Sequence, residues 1–263
     1  MSLKQPKPNR KRKIPYWLIS RFYDDLWPRR PNAWRSARRL LLGPVLKRSQ
    51  SVCDLGCGTG TNSIEFARLG LKVFAMDFSA EMCRITREKA KKKRLKLVVR
   101  QADMRSFRLP EPVDLIASEW GPINHLRRKA DLAKVAIAVS RSLRPGGYFY
   151  FDLHQRLFFE GWTEPVVFDH GKFFLANQGG YEPSLGCGWM DMTFFIPRAD
   201  GKWTRHSDLL VQIHWSHAEV LRTLRRAGFN SIRLFDFHDL NAPPRSRPGK
   251  RSVRTMYLAR KSK

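Results

Sequence analysis

Between Ser51 and His154, short apolar runs alternate with stretches of helical period. SVCDL, KVFAMD, LKLVVRQAD, VDLIASE and GGYFYFDLH read as strands, and segments beginning at Thr61, Ser79 and Lys129 read as helices. The runs are apolar on both faces, so with helical crossovers between them they predict a parallel sheet covered on both sides, an α/β fold. From about Gln155 to Trp215 the helical period vanishes. PVVFDHGKFFLAN, GWMDMTFFIPR and KWTRHSDLLVQIHW are aromatic, period-two stretches separated by turns, of which ADGK is a good hairpin signal. Ser216 and Glu219 then form an S-x-x-E capping box for SHAEVLRTLRRAGF, which ends at Gly228. NSIRLFDFHD and RTMYLAR read as two more strands around a Pro- and Arg-rich loop, and there is no internal repeat.

Upstream, YWLISRFYDDLWPRRPNAWRSARRLLLGPVL is aromatic-rich, broken by Pro28 and Pro31, and helical in period through Leu46. Residues 14–46 are therefore read as a helical lid. Residues 1–13, with six basic side chains and no acid, are read as a disordered tail. The remainder, 47–263, is read as one domain with 155–215 as a β-rich insertion. At 42% hydrophobic residues the chain can bury one large core. No apolar run approaches the roughly 20 residues needed to span a bilayer, and the basic start lacks a signal-peptide apolar region. The four cysteines form no CxxC pair, which suits reduced thiols in a cytoplasmic protein and predicts neither a disulfide frame nor a metal site. A net charge of +27 adds one expectation, adhesion to polyanions such as RNA. The charge concentrates in the tail, in REKAKKKRLK from Arg87 and in RSRPGKRSVR from Arg245.

The stretch VCDLGCGTGTNSIEFARLGLKVFAMD carries the most chemistry. A strand that runs through glycines into a helix leaves backbone N–H groups pointing at whatever lies over the helix N-terminus. Asp54 sits inside the end of the apolar strand, where an acid is costly unless something uses it. Asp77 ends the next strand, where an acid can accept hydrogen bonds from a ribose diol. A dinucleotide fingerprint, G-x-G-x-x-G, would need a third glycine where Thr61 stands; the glycine comes one residue early, at Gly60.

DLGCGTG resembles instead the first motif of the class I S-adenosylmethionine-dependent methyltransferases. QADM, VDLIASE, LRPGGYFYFD, SHAEVLRTLRRAGF and RTMYLAR follow in the family's order. The resemblance implies a doubly wound, mostly parallel seven-stranded sheet of order 3-2-1-4-5-7-6, with strand 7 antiparallel, and S-adenosylmethionine as cofactor. It implies a cofactor site built from Asp54, Gly56, Cys57, Gly58, Gly60, Asp77, Phe78, Asp103, Met104 and Glu119. The aromatic RFYDDLW, like the insertion after strand five, is similar to small-molecule methyltransferases, including sugar amine N-methyltransferases. Tyr23 is then the expected lid contact, chosen from among Tyr16, Phe22, Tyr23 and Trp27.

Methyl transfer from a sulfonium needs alignment, exclusion of water and a group to take the acceptor's proton. His125, in SEWGPINHLRR after strand four, is the first candidate base, and His154, just past strand five, is the second. The leading expectation is methylation of an N or O nucleophile on a small molecule. RNA or an RNA-associated protein as acceptor, and cofactor binding without catalysis, are the alternatives. The oligomeric state is left open.

Overall fold

The computed structural model describes residues 16, 18–26, 31–239 and 252–263. The expected tail, Trp27 and residues 245–251 of the last basic cluster lie outside them.

Two helices come first, α1 (Ile19–Leu26) and α2 (Pro31–Leu46). The parallel strands are β1 (Ser51–Leu55), β2 (Lys72–Asp77), β3 (Val98–Gln101), β4 (Val113–Ser118) and β5 (Leu143–His154). Between them run α3 (Thr61–Arg68), α4 (Ala80–Lys92) and α5 (Lys129–Ser142). After β5 come a short helix α6 (Arg156–Glu160) and strands β6 (Val166–Asp169), β7 (Phe174–Glu182), β8 (Cys187–Pro197) and β9 (Trp203–Ile213). The chain closes with α7 (His217–Arg226), β10 (Phe229–Asp236) and β11 (Arg254–Lys261).

The seven-stranded sheet runs β3-β2-β1-β4-β5-β11-β10. With the insertion strands skipped, this is the order 3-2-1-4-5-7-6, and β11 lies antiparallel to both of its neighbours. β1 is buried at every residue, which explains its unbroken apolar run. β3 is an edge strand with exposed faces, so only four residues of the nine-residue run LKLVVRQAD pair. β5 starts earlier than its apolar pattern suggests, because Leu143 already pairs with Val113.

One face of the sheet packs α5 and α7 through Val135, Val139, Val220 and Leu224. The other packs α2 and α3 through Leu41, Leu42 and Phe66. Ser79 caps α4 by accepting from Met82 N–H at 3.3 Å, and Ser216 caps α7 by accepting from Glu219 N–H at 3.3 Å. The insertion strands form a separate antiparallel sheet, β6-β7-β8-β9. Its aromatic period-two pattern has the expected outcome, but the stretch before it, RLFFEGWT, is a pair of short helical turns rather than strand.

The single helical lid read over residues 14–46 is two helices with different partners. Leu18, Ile19 and Phe22 pack on Phe173, Leu175, Met192 and Phe194 of the insertion sheet. Leu18 and Ile19 are 2% and 1% exposed, and burial on that scale stabilises by roughly 1.5–3 kcal/mol each. α2 instead belongs to the main sheet. Its Arg38, 4% exposed, donates Nε to Glu119 Oε1 at 3.0 Å and Nη2 to Glu119 Oε2 at 2.9 Å. Nη1 reaches Glu65 at 2.5 Å, and Nη2 also reaches Asn62 Oδ1 at 2.9 Å. Burial works against the guanidinium charge, and the two carboxylates outweigh it.

Removing one partner of such a buried pair strands the other. Arg38→Met should cost about 3–5 kcal/mol in urea unfolding, and Arg38→Met with Glu119→Leu should recover much of it. A single-variant loss below about 1 kcal/mol would show that α2 is held by its apolar face alone.

Candidate active site

Gly56, Gly58 and Gly60 sit at φ of 76°, 54° and 80°, in the left-handed region that costs glycine nothing. The turn is also tightly walled. A Cβ on Gly56 would lie 2.7 Å from Pro122 Cβ, and one on Gly60 would lie 2.6 Å from Thr86 Cγ2. Gly56 and Cys57 N–H groups donate to Met76 O at 2.7 and 3.0 Å. Asp77 then clamps the turn, accepting Gly58 N–H on Oδ2 and Ser79 N–H on Oδ1, both at 2.8 Å. Burial raises the Asp77 pKa, while donors from Ser79, Gly58 and Phe78 pull it back. Asp54 is also accounted for: Ser63 Oγ, in the first turn of α3, donates to its Oδ2 at 2.5 Å.

These residues fit S-adenosylmethionine. A carboxylate offers about four acceptor positions, so Asp77 with three backbone donors keeps room for a ribose hydroxyl. Next to it, Phe78 is 54% exposed, an aromatic face at the mouth of the turn. Met104 lies against the turn, its Cε 3.8 Å from a Cβ built on Gly56. Asp103 is held by Arg105, with Nε at 3.0 Å and Nη2 at 2.6 Å, and these hydrogen bonds keep its pKa below the usual range. Burial raises the Cys57 pKa, so it remains a thiol beside the glycines. Glu119, at the end of β4, has both of its oxygens paired with Arg38.

The acceptor side is built on the loop after β4. Trp120 and Gly121 both adopt left-handed φ, 78° and 72°, a sharp reversal that is costly for tryptophan. Asp152 holds that reversal by accepting Trp120 N–H at 2.6 Å and a further backbone hydrogen bond from Gly121. The loop continues as a single 3-10 turn, Pro122–His125. Pro122 thus touches the glycine turn while His125, three residues on, faces the insertion.

His125 Nε2 lies 2.8 Å from the Tyr16 hydroxyl and 3.0 Å from Gln212 Nε2 on β9. His154 Nδ1 lies 2.9 Å from Gln212 Oε1, and its Nε2 lies 2.5 Å from Arg254 Nη2 on β11. Arg254 Nη1 in turn reaches Asp152 Oδ2 at 2.5 Å. The two candidate histidines are thus joined through one glutamine. Burial lowers the His125 pKa to about 4, with help from the charge of Arg127. Burial and Arg254 likewise drive the His154 pKa well below its ordinary value. Burial raises the Tyr16 pKa, reinforced by Tyr23, Asp77 and Asp208. Tyr16 therefore feels both Asp77 and the loop after β4. Tyr23, the aromatic chosen from sequence, is its neighbour at 6.2 Å between ring centroids. α1 is tied to the glycine turn as well, because Thr59 Oγ1 donates to Asp24 Oδ1 at 2.7 Å.

Sequence reasoning missed Arg38, Asp152, Gln212 and Arg254 as site-forming groups. Asp152 alone had a signal: like Asp54, it is an acid within an apolar strand.

Residues 52–147 match a methyltransferase domain family. With the strand order and the glycine turn, this match supports a class I S-adenosylmethionine-dependent methyltransferase. It is similar to a candidate methyltransferase of Geobacillus sp. strain WCH70, 24% identical over 258 residues that cover 94% of this chain and 99% of that one. Among solved structures, an S-adenosylmethionine-dependent methyltransferase from Clostridium acetobutylicum superposes with a TM-score of 0.78 at 19% identity, covering 93% and 98% of the two chains. The sugar N-methyltransferase KedS8 from Streptoalloteichus gives a TM-score of 0.72 at 18% identity, covering 100% and 99%. No helix among the described residues is long and apolar enough to cross a membrane.

Asp77→Ala removes the clamp on the turn and, with it, the carboxylate expected to accept from the ribose. Titration calorimetry should show S-adenosylmethionine binding weakened by about 1.5–3 kcal/mol, roughly ten- to a hundredfold. Unchanged affinity would take Asp77 out of the cofactor site.

Proposed function

We propose that the protein methylates a nitrogen or oxygen nucleophile on a small molecule, with Tyr16 and His125 on the acceptor side. The observation that carries this is the Tyr16–His125 hydrogen bond, 2.8 Å long, formed where α1, the loop after β4 and β9 meet. An acceptor reaching that point is walled by α1 and the insertion sheet, which suits a small molecule better than a polymer. The sugar N-methyltransferase among the structural relatives is in keeping with an amine acceptor.

S-adenosylmethionine supplies a methyl carbon made electrophilic by its sulfonium. The glycine turn and Asp77 would hold that group at the carboxyl ends of the strands, where ligands of open parallel sheets bind. Tyr16 and the aromatic face of α1 exclude water there. His125 is neutral at physiological pH because it is buried, and its Nε2 lone pair orients the Tyr16 O–H. The Tyr16 oxygen is then left to accept a hydrogen bond from the acceptor's N–H or O–H, which aims the nucleophile's lone pair. As the acceptor loses its proton to the Tyr16 oxygen, the Tyr16 proton passes to His125 Nε2. With a pKa of about 4 the imidazole is a weak base, so its contribution falls at the low end of the general-base range. His154 has both ring nitrogens engaged by protein groups and serves the architecture.

The test is product analysis with labelled methyl donor across small amines and alcohols, alongside RNA and protein. Label is expected in a small molecule and insensitive to ribonuclease; ribonuclease-sensitive label would move the acceptor to RNA, and no transfer at all would leave binding without catalysis. With the acceptor in hand, His125→Ala should lower kcat about 10²-fold while cofactor affinity holds. A loss below tenfold would reduce His125 to a structural residue.

The lowered pKa also fixes a pH profile. His125 gains its proton only as pH falls through about 4, so kcat should stay flat from pH 8 to about 5 once the acceptor's own ionisation is allowed for. An enzyme limb near 6.5 would contradict the burial of His125.

A further inference from the structure

We infer that Gln212 is a positioning residue: its side-chain amide, oriented by Arg254 through His154, keeps the Nε2 of His125 free of a proton. This rests on the reading of His125 as the acceptor-side base, and it assigns a role to the insertion strand that carries Gln212.

The inference follows from which groups can only donate. A guanidinium has N–H donors and no acceptor, so His154 Nε2, 2.5 Å from Arg254 Nη2, must present its lone pair. Neutral His154 then carries its proton on Nδ1, 2.9 Å from Gln212 Oε1, which accepts it. That choice sets the glutamine amide, whose oxygen and nitrogen sit at opposite ends. Its Nε2–H group must face His125 Nε2 at 3.0 Å. An amide N–H cannot face another N–H, so His125 Nε2 is a lone pair and the ring proton sits on Nδ1. The lone pair is the one that Tyr16 meets at 2.8 Å. The proton order is thereby read from Arg254, whose guanidinium can only donate, to a ring three residues away along the chain of hydrogen bonds.

Two further features hold the chain in place. The Arg254 guanidinium lies over the rings of Trp34 and Trp120 at 5.1 and 5.6 Å, and Asp152 takes its other nitrogen. Asn124, next to His125 and fully buried, accepts His154 N–H at 2.9 Å and donates to Ile213 O at 2.8 Å. It ties the catalytic loop to β5 and to the residue after Gln212. The charged and titratable groups around His125 are Tyr16, Arg127 and, through the glutamine, His154 and Arg254. Tyr16 and Gln212 are the side chains that meet Nε2, and the backbone of Val211, next to Gln212 on β9, also hydrogen-bonds the ring.

The test is long-range proton–nitrogen NMR of the full chain labelled with ¹⁵N-histidine at pH 7.5, with His125 and His154 assigned by substitution. Both rings should carry their proton on Nδ1. Gln212→Glu, nearly isosteric, replaces the N–H donor with an acceptor, and His125 should then move its proton to Nε2. In that variant kcat should fall about 10²-fold with cofactor affinity unchanged. Wild-type His125 or His154 protonated on Nε2 would overturn the proposal without any variant, as would a His125 tautomer unmoved in Gln212→Glu. A tautomer that inverts while kcat stays within twofold would keep the positioning role of Gln212 and remove His125 as the base.

Discussion

The carboxylate of Asp77 joins the turn after β1 to the start of α4, and the rest of the site is arranged around that junction. It accepts from Gly58 N–H and Ser79 N–H at 2.8 Å each, so the two segments that meet at the first crossover are fixed to each other through one side chain. Three left-handed glycines make the junction possible, and Pro122 and Thr86 leave no space for a side chain at Gly56 or Gly60. Because Pro122 belongs to the same one-turn helix as His125, the glycine turn and the loop after β4 are parts of one packed unit. Thr59, in the middle of the turn, holds α1 through Asp24.

Electrostatics at this edge divides into two kinds of buried charge. Arg38 and Arg254 each bring a guanidinium under cover, and each is met by carboxylates, Glu119 and Glu65 in one case and Asp152 in the other. Arg38 anchors a helix to the sheet. Arg254 lies beside His154, where its donor-only guanidinium passes directionality to neutral groups that have none of their own. Burial in the same region keeps both histidines uncharged, which prevents repulsion with Arg254 and leaves their nitrogens able to accept.

Much of the fold was legible because it rests on local pattern. Buried strands on both faces, as in β1, give unbroken apolar runs; period-two aromatics, as in β8, give a half-covered sheet; and Ser216 with Glu219 marks a helix start. The geometry of the glycine turn was legible for a related reason: glycines and a strand-end acid lie within one βα unit, so their spacing is visible in sequence. His125 and His154 were legible one by one, from their places after β4 and β5, but the network that joins them was not. Tyr16, His125, Gln212, His154 and Arg254 come from five separate elements or loops, and no spacing connects them. Glu119 illustrates the same limit, because its partner Arg38 lies on a helix upstream of the whole sheet. The short turns in RLFFEGWT were hidden by aromatic content, since tertiary packing of Phe159 rather than propensity decides their conformation.

The central claim is that the glycine turn, α1 and the acceptor loop form a single enclosed site. Hydrogen exchange with and without S-adenosylhomocysteine tests it most directly. The account predicts slowed exchange in residues 56–60, in α1 and in the turn carrying His125, with the outer strand β6 unaffected. Protection confined to residues 56–60 and Asp77, with α1 exchanging as before, would contradict it.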